Sequence, residues 1–236
     1  MRICVMNISE KLDAENRAFL ERFVTMEKAA RIQKFWHWED QQRSLFGDLL
    51  IRKMLVEHTG RSNDELRFET TDFGKPYLKG EAALYFNISH SGDWVACAIH
   101  SESIGIDVEV VQDIDLSISE MYFSREENNE IVRAEDSIDR FFDYWTLKES
   151  FIKYIGKGLS QPLNSFTIHI GQEKITVEST VGLASDSTLK QYNLGHPYKM
   201  AVCTKATQFP ENYEVCTMED IIHWCANEPI TIPITT

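Results

Sequence analysis

The sequence predicts an α+β fold made of two similar halves. The chain has 236 residues, more than the roughly 150 of a typical domain and fewer than two full domains need. The same order, helices followed by short strands with period-two alternation, also occurs twice. We therefore expect a first half at 1–102, a second half at 103–227 and a flexible tail, rich in proline and threonine, at 228–236.

The first half opens with a predicted strand at 2–8 and continues with helical stretches between residues 12 and 36. Leu45, Leu49, Arg52 and Val56 follow the spacing of one helix face, and this helix is expected to end near Gly60. Alternating apolar residues then predict four strands, at 66–69, 84–88, 93–99 and 104–110.

The second half repeats this order without a recognisable residue-level repeat. A helical region is predicted from about Ser124 to Ile155, and the glycine that follows it, Gly156, is the expected helix cap. Four short strands should follow, at 165–170, 174–178, 188–192 and 199–204. The two halves could thus have arisen by duplication.

Composition and charge exclude several classes of protein. The chain carries 24 basic and 37 acidic residues, a net charge of −13, so it lacks the basic surface that grips a nucleic-acid backbone, and a phosphate ligand must be held by a few local cations. No apolar run approaches the length of a membrane span, so we expect a cytoplasmic protein that does not bind membranes. Five cysteines without a C-x-x-C pair are expected to be reduced, mostly buried thiols.

The segment Ile104 to Val110 places two carboxylates on one face of a strand. Side chains alternate along a strand, so Asp107 and Glu109 project on the same side as Gly105, which leaves room for something close to the backbone. Such a pair is either the solvated face of an ordinary strand or a site for a hard cation such as Mg²⁺, which relieves the repulsion between like charges.

The segment Trp145 to Lys153 places a third carboxylate in an apolar row. On a helix, Glu149 falls on the same predicted inward stripe as Ile138, Phe142, Trp145 and Ile152. A carboxylate there is costly unless it is paired or binds a metal, so either an ion pair between Glu149 and Lys153 or a metal site would explain it.

The segment Asn87 to Gly92 is predicted to be a polar turn between two strands. Its serines and His90 are suited to hold a phosphate, although such turns also occur without a ligand. A Ser-His hydrolase is a poorer interpretation because the chain has no G-x-S-x-G elbow. Cations in the first half, taken singly, are expected to be solvated surface groups.

Two of these segments together resemble the signature of 4′-phosphopantetheinyl transferases of the double-length class that activates non-ribosomal peptide synthetases. The first part of the signature corresponds to Ile104-Gly105-Ile106-Asp107, and the second, a W-x-x-K-E-S-x-x-K motif, to Trp145 to Lys153. The two parts lie 38 positions apart, counted from Asp107 to Trp145. The resemblance covers nearly the whole chain, except that 171–195 matches poorly and 228–236 has no counterpart.

The resemblance implies coenzyme A and Mg²⁺ in a cleft between two pseudo-twofold halves, and it assigns a role to each of eleven residues. Arg31 stands where the family often has lysine, and Ser150 where it often has alanine. Glu149, Lys153 and His90 are the implied catalytic residues. The implied ligands of the metal are Asp107, Glu109 and Glu149, those of the 3′-phosphate are Lys28, Arg31 and His90, those around the other phosphates are Lys75, Ser89 and Lys153, and Arg43 and Ser44 flank the nucleotide.

The resemblance further implies transfer of phosphopantetheine from CoA to a serine of an apo carrier-protein domain of a peptide or polyketide synthase. Carrier domains are generally acidic, so docking to this acidic protein should rely on local apolar contact, and we expect Met121, Tyr122 and Phe123 to supply it. We expect a monomer. The alternatives are another Mg²⁺-dependent phosphodiesterase or nucleotidyltransferase, and a catalytically inactive CoA-binding protein.

Overall fold

The computed structural model of the chain describes residues 1–179, 186–206 and 208–229. Its first half contains β1 (Arg2–Asn7), α1 (Ala14–Leu20), α2 (Met26–Ile32), α3 (Trp38–Thr59), β2 (Phe68–Thr70), β3 (Pro76–Leu78), β4 (Tyr85–Ser91) and β5 (Trp94–His100). Its second half begins with β6 (Ile104–Val110), α4 (Ser117–Tyr122), α5 (Arg125–Arg133) and α6 (Ser137–Ile155). Strands β7 (Phe166–Ile170), β8 (Ile175–Ser179), β9 (Thr188–Tyr192), β10 (Tyr198–Thr204) and β11 (Glu214–Val215) follow, and α7 (Met218–Asn227) comes last.

Each half is built on one sheet and one long helix, which confirms the predicted α+β class and two-half architecture. The first sheet has the order β11-β1-β5-β4 and the second the order β6-β10-β9-β8-β7, while β2 and β3 form a separate hairpin. Helix α3 packs on the first sheet and α6 on the second. Both helices end at a left-handed glycine, Gly60 and Gly156, as predicted.

Side chains rather than a main-chain ladder join the two sheets. Strand β4 is the edge of the first sheet and β6 the edge of the second. The side chains of Asn87, Ser89 and Ser91 on β4 accept hydrogen bonds from main-chain N–H groups of β6, at 2.9, 3.3 and 3.2 Å. We call this row of contacts the β4–β6 seam.

The predicted turn at 87–92 is wrong, because β4 continues to Ser91. Residues 87–91 pair with 94–98 of β5, and Gly92 and Asp93 make a two-residue connection. Three of the polar residues that suggested a turn, Asn87, Ser89 and Ser91, instead form the face of the strand that meets β6 in the seam.

The predicted inward stripe of α6 is confirmed only in part. Phe142 and Ile152 are buried in the core, but Trp145 and Glu149 are only partly buried. The face that packs on the second sheet includes the fully buried Phe141, Tyr144, Lys148 and Phe151. The helix packs so closely on β6 that a Cβ at Gly105 would lie 2.0 Å from the main-chain oxygen of Ser150. The space beside Gly105 is therefore filled by the helix backbone.

The last two elements, β11 and α7, pack against the first half. The predicted second half, 103–227, had included both of them. Strand β11 pairs in parallel with β1, and Ile221 and Cys225 of α7 lie in the same apolar core as Leu49 and Leu50 of α3. Sequence periodicity cannot reveal which distant edge a short strand joins, so this crossing was missed. Most of the predicted tail, 230–236, lies outside the described residues.

The five cysteines are buried free thiols, as expected. Within the described ranges, no helix combines the length and the hydropathy that a membrane crossing requires.

Candidate active site

A cavity of about 440 Å³ opens between the two halves. Eight of the eleven residues implied by the resemblance line it. The first half contributes mainly basic and hydroxyl groups, and the second half contributes carboxylates and one lysine. The eight are Lys28, Ser44, Ser89 and His90 from the first half, and Asp107, Glu109, Glu149 and Lys153 from the second.

Asp107 is the most deeply buried carboxylate of the cavity, with 2% of its surface exposed. Its Oδ1 accepts hydrogen bonds from Lys153 Nζ at 2.7 Å and from Ser89 Oγ at 2.8 Å. Its Oδ2 is buried without a hydrogen-bond partner in the structure. Burial raises the pKa of Asp107, against the opposing influence of Lys153. The lysine of the signature thus bonds to the strand carboxylate and bridges α6 to β6.

Glu109 and Glu149 share the negative field of Asp107. Burial, and after it the charge of Asp107, raises the pKa of both glutamates. Ser91 Oγ donates to Glu109 Oε2 at 2.6 Å. Three carboxylates with raised pKa values therefore face one cavity, and a bound cation would stabilise their charged forms.

The first half contributes two basic groups, Lys28 and His90, to the cavity lining. Burial lowers the pKa of Lys28, whose ammonium is 4.0 Å from Asp48 Oδ1. His90 lines the cavity but stays accessible at its mouth. Desolvation by the surrounding protein lowers the pKa of His90, and so do the charges of Lys153, Arg43 and Lys28. An anion bound here would find an ammonium, an imidazole and the Ser44 hydroxyl within one pocket.

Arg43 is not among the residues that line the cavity. Its guanidinium donates to the main-chain oxygen of Gly92 at 2.7 Å and to Asp40 Oδ1 at 2.7 Å. Arg43 therefore fixes the connection between β4 and β5, immediately after the strand that carries Ser89 and His90.

Lys75 also lies outside the cavity lining. Its ammonium donates to the main-chain oxygens of Ile104, Lys153 and Tyr154, at 3.0, 2.6 and 3.3 Å. Burial lowers its pKa to about 8. The contacts join a loop of the first half to the start of β6 and the last turn of α6, whose carbonyls have no helical partner. Arg31, exposed on α2, is the third implied residue that does not line the cavity.

The sequence analysis assigned no role to Asp48 and did not connect Ser91 to a carboxylate. Asp48 lines the cavity and binds the buried Arg52 at 2.5 Å as well as facing Lys28. Ser44, Asp48 and Arg52 are spaced by four, which is one row of α3, and this spacing could have identified Asp48. The alternation of polar residues at 87, 89 and 91 could likewise have identified Ser91.

Comparison with known proteins identifies the class of enzyme. Residues 13–102 match a family model described as "4'-phosphopantetheinyl transferase, N-terminal", and residues 103–203 match "4'-phosphopantetheinyl transferase superfamily". The two matches meet between the halves and together include every residue of the cavity lining.

Characterised relatives match over most of the chain. The 4′-phosphopantetheinyl transferase Sfp of Bacillus subtilis (strain 168) is 37% identical over 210 residues, 88% of this chain and 93% of the relative. The transferase ffp of Bacillus subtilis is 36% identical over 94% of this chain and 100% of the relative. The transferase gsp of Aneurinibacillus migulanus is 35% identical over 84% of each. This chain belongs to the 4′-phosphopantetheinyl transferase family and is an enzyme of that class.

Proposed function

We propose that this enzyme transfers the 4′-phosphopantetheine group of coenzyme A to a serine hydroxyl of apo carrier-protein domains, in a Mg²⁺-dependent reaction that releases adenosine 3′,5′-bisphosphate. The observation that carries the proposal is that one cavity combines Lys28, His90 and two serine hydroxyls of the first half with the three carboxylates and Lys153 of the second. We also propose that the enzyme acts in the cytoplasm. We propose that it is a monomer because one chain supplies all the residues that line the cavity.

The three carboxylates fit a magnesium ion by their chemistry. The described residues contain no group of three His, Cys, Asp or Glu side chains already arranged around a metal position. Asp107 nevertheless has a buried oxygen without a partner, and all three carboxylates carry raised pKa values. Mg²⁺ prefers such oxygen ligands and commonly takes its remaining ligands from substrate phosphates. We propose that Asp107, Glu109 and Glu149 hold it.

The basic and hydroxyl groups fit the phosphates of coenzyme A. Lys28 and His90 would bind the 3′-phosphate, with Arg31 close enough to Lys28 to influence its charge. Ser44 would lie beside the nucleotide, and Ser89 and Lys153, which already meet at Asp107, would lie beside the pyrophosphate. Lys75 and Arg43 support this arrangement from outside the cavity, through the contacts described above.

The reaction needs a base and stabilisation of the leaving phosphate. Glu149 faces the cavity, and its raised pKa makes it a better proton acceptor than an exposed glutamate. In the proposed step Glu149 takes the proton of the carrier serine, directly or through a water. The serine oxygen then bonds to the phosphorus of the pantetheine arm, and the bond from that phosphorus to the bridging oxygen breaks. When bound, Mg²⁺ would neutralise charge on the pyrophosphate.

The test is the mass of an apo carrier protein after incubation with CoA and Mg²⁺. Wild type should add one phosphopantetheine unit, while Glu149→Ala should retain CoA binding but lose transfer by at least about 10⁴-fold. Glu178→Gln, on an exposed strand residue, is the matched control and should behave as wild type. Normal holo-carrier formation by Glu149→Ala would refute the role of Glu149.

The same assay separates the alternatives. A phosphodiesterase or nucleotidyltransferase would consume CoA without any gain in carrier mass. An inactive CoA-binding protein would be stabilised by CoA without turnover.

The proposed docking surface for the carrier is narrower than the sequence suggested. Met121 and Tyr122 are more than half exposed, but Phe123 is buried against Phe141 and Trp145. Phe123 is therefore part of the core, and the expectation that it contacts the carrier is wrong. We expect Tyr122→Ala to raise the KM for the carrier while leaving the KM for CoA unchanged. An unchanged KM for the carrier would remove Tyr122 from the docking surface.

A further inference from the structure

The β4–β6 seam repeats one hydrogen-bond arrangement two residues apart. Ser89 Oγ accepts from the main-chain N–H of Val108 and donates to Asp107 Oδ1. Ser91 Oγ accepts from the main-chain N–H of Val110 and donates to Glu109 Oε2. Each serine therefore links the carboxylate of one β6 residue to the main chain of the next.

The arrangement fixes where each hydroxyl proton points. A serine hydroxyl has one proton and two lone pairs. Ser91 accepts the N–H of Val110 at one lone pair, and an ionised carboxylate oxygen can only accept, so the proton of Ser91 is directed to Glu109 at a donor–acceptor distance of 2.6 Å. Hydrogen bonds to a charged carboxylate are short and strong, so this contact holds the side chain of Glu109 against the strand.

The two carboxylates are held by different kinds of group. Asp107 Oδ1 is held by Ser89 and by the ammonium of Lys153. Glu109 is longer and is held by neutral groups only, by Ser91 at Oε2 and by a hydrogen bond from the side chain of Trp145. The longer side chain has more rotamers to lose, so it depends more on the hydroxyl that orients it.

We infer that Ser91 is a positioning residue that orients Glu109 for metal binding. The inference rests on the proposed function, in which Glu109 is a ligand of Mg²⁺. Partners of this kind, which touch a ligand rather than the metal, typically contribute about 10- to 100-fold to metal affinity. We expect a loss within that range when the hydroxyl of Ser91 is removed.

The test compares two variants of nearly the same shape, Ser91→Thr and Ser91→Val. Threonine has a hydroxyl where valine has a methyl group. Mn²⁺ serves as the probe, and its free concentration is measured by electron paramagnetic resonance in titrations of the full-length protein with CoA present. Ser91→Thr should bind Mn²⁺ close to wild type, and Ser91→Val should bind about 10- to 100-fold more weakly.

Asn87→Ala controls for damage to the seam itself. The side chain of Asn87 accepts a hydrogen bond from the main-chain N–H of Ile106, just as Ser91 accepts one from Val110. Unlike Ser91, Asn87 does not also bond to a carboxylate of β6. We expect Asn87→Ala to lower the melting temperature without changing Mn²⁺ affinity. Equal losses in Asn87→Ala and Ser91→Val would show that Ser91 is merely structural and would overturn the inference.

The remaining outcomes are separable from failure of the proposed function. If wild type binds no Mn²⁺ in the presence of CoA, the proposed metal site fails and the role of Ser91 fails with it. If wild type binds Mn²⁺ and Ser91→Val binds equally well, only the role of Ser91 fails. Equal weakening in Ser91→Thr and Ser91→Val would also overturn it, because the hydroxyl would then be irrelevant.

Discussion

Helix α6 contributes the lysines of two lysine–carboxylate pairs, which lie on different faces of the helix. One pair is fully buried, and the other lines the cavity. Lys148 Nζ lies 2.9 Å from Glu127 Oε1, and both side chains are fully buried. Lys153 Nζ lies 2.7 Å from Asp107 Oδ1, but 26% of the lysine side chain is exposed in the cavity. Both lysines belong to the signature motif.

The difference between the pairs lies in the atoms that surround them. Lys148 also donates to the main-chain oxygens of Leu163 and Phe166, and Glu127 accepts the N–H groups of Ser124 and Ile168. The second pair leaves Asp107 Oδ2 without a hydrogen-bond partner among the described residues, beside two more carboxylates. A complete buried pair fixes the surrounding backbone, whereas an incomplete one keeps binding capacity for a ligand.

The largest predicted effect comes from breaking the complete pair. Lys148→Met leaves the charge of Glu127 buried without a counterion, and we expect a loss of about 3–5 kcal/mol in the free energy of unfolding. Urea denaturation measures it. Lys205→Met, which breaks an exposed pair with Asp186, is the matched control and should have little effect. Equal effects of the two changes would show that burial does not distinguish them.

Replacing a carboxylate by the amide of the same shape should affect the free energy of unfolding differently at Asp107 and at Glu127. Asp107→Asn should reduce transfer by about 10²- to 10³-fold, yet it should not lower the unfolding free energy of the metal-free protein. The reason is that it removes a desolvated charge which raises the pKa of Glu109 and Glu149. Glu127→Gln should instead destabilise. Urea denaturation in EDTA and carrier mass measure these effects; a destabilised Asp107→Asn would contradict the distinction.

Lys75 sharpens the comparison, because its contacts make it resemble Lys148 rather than Lys153. Lys75→Met should lose about 1.5–3 kcal/mol of stability, the value of hydrogen bonds from a charged donor. The salt dependence of CoA binding should stay unchanged, since the ammonium is held by main-chain oxygens. Lys28→Met, in the cavity, should weaken that dependence. Calorimetric titration with CoA at several salt concentrations measures this dependence. If Lys75→Met and Lys28→Met changed it equally, the distinction between the two lysines would be contradicted.

The smallest predicted effect is on the pH dependence of stability. The pKa of Asp107 is raised in the folded protein, so the folded state holds its proton more tightly than the unfolded state. The resulting stability is present below the ordinary value of 3.8 and is lost as pH rises through the folded pKa. In EDTA, wild type should therefore lose stability relative to Asp107→Asn across this window. Parallel curves would contradict the raised pKa.

Much of the site could be predicted because strand and helix periods fix which side chains share a face. The alternation of side chains along a strand predicted that Asp107 and Glu109 share a face. The resemblance to the family signature added Glu149 and Lys153 to the same predicted site. The same reasoning could not tell that the ammonium of Lys75 would be taken by carbonyls, because main-chain acceptors are invisible in a sequence.

The failures in predicting the fold have a similar origin. Lys148 was not expected in the core, because a lysine is normally solvated and the partner that allows its burial, Glu127, lies on another helix. The crossing of β11 to β1 depends on an open sheet edge, which no local pattern reports. Local periodicity predicted the elements, and contacts between distant segments determined how they combine.

The return of β11 and α7 to the first half also sets an order for biosynthesis. Strand β1 is synthesised early, yet the strand that covers its outer edge is made more than 200 residues later. Until then the nascent chain presents an unpaired strand edge beside an apolar core that still lacks α7. Such edges recruit other chains. The sheet and core of the first half are therefore completed only after the second half has been translated.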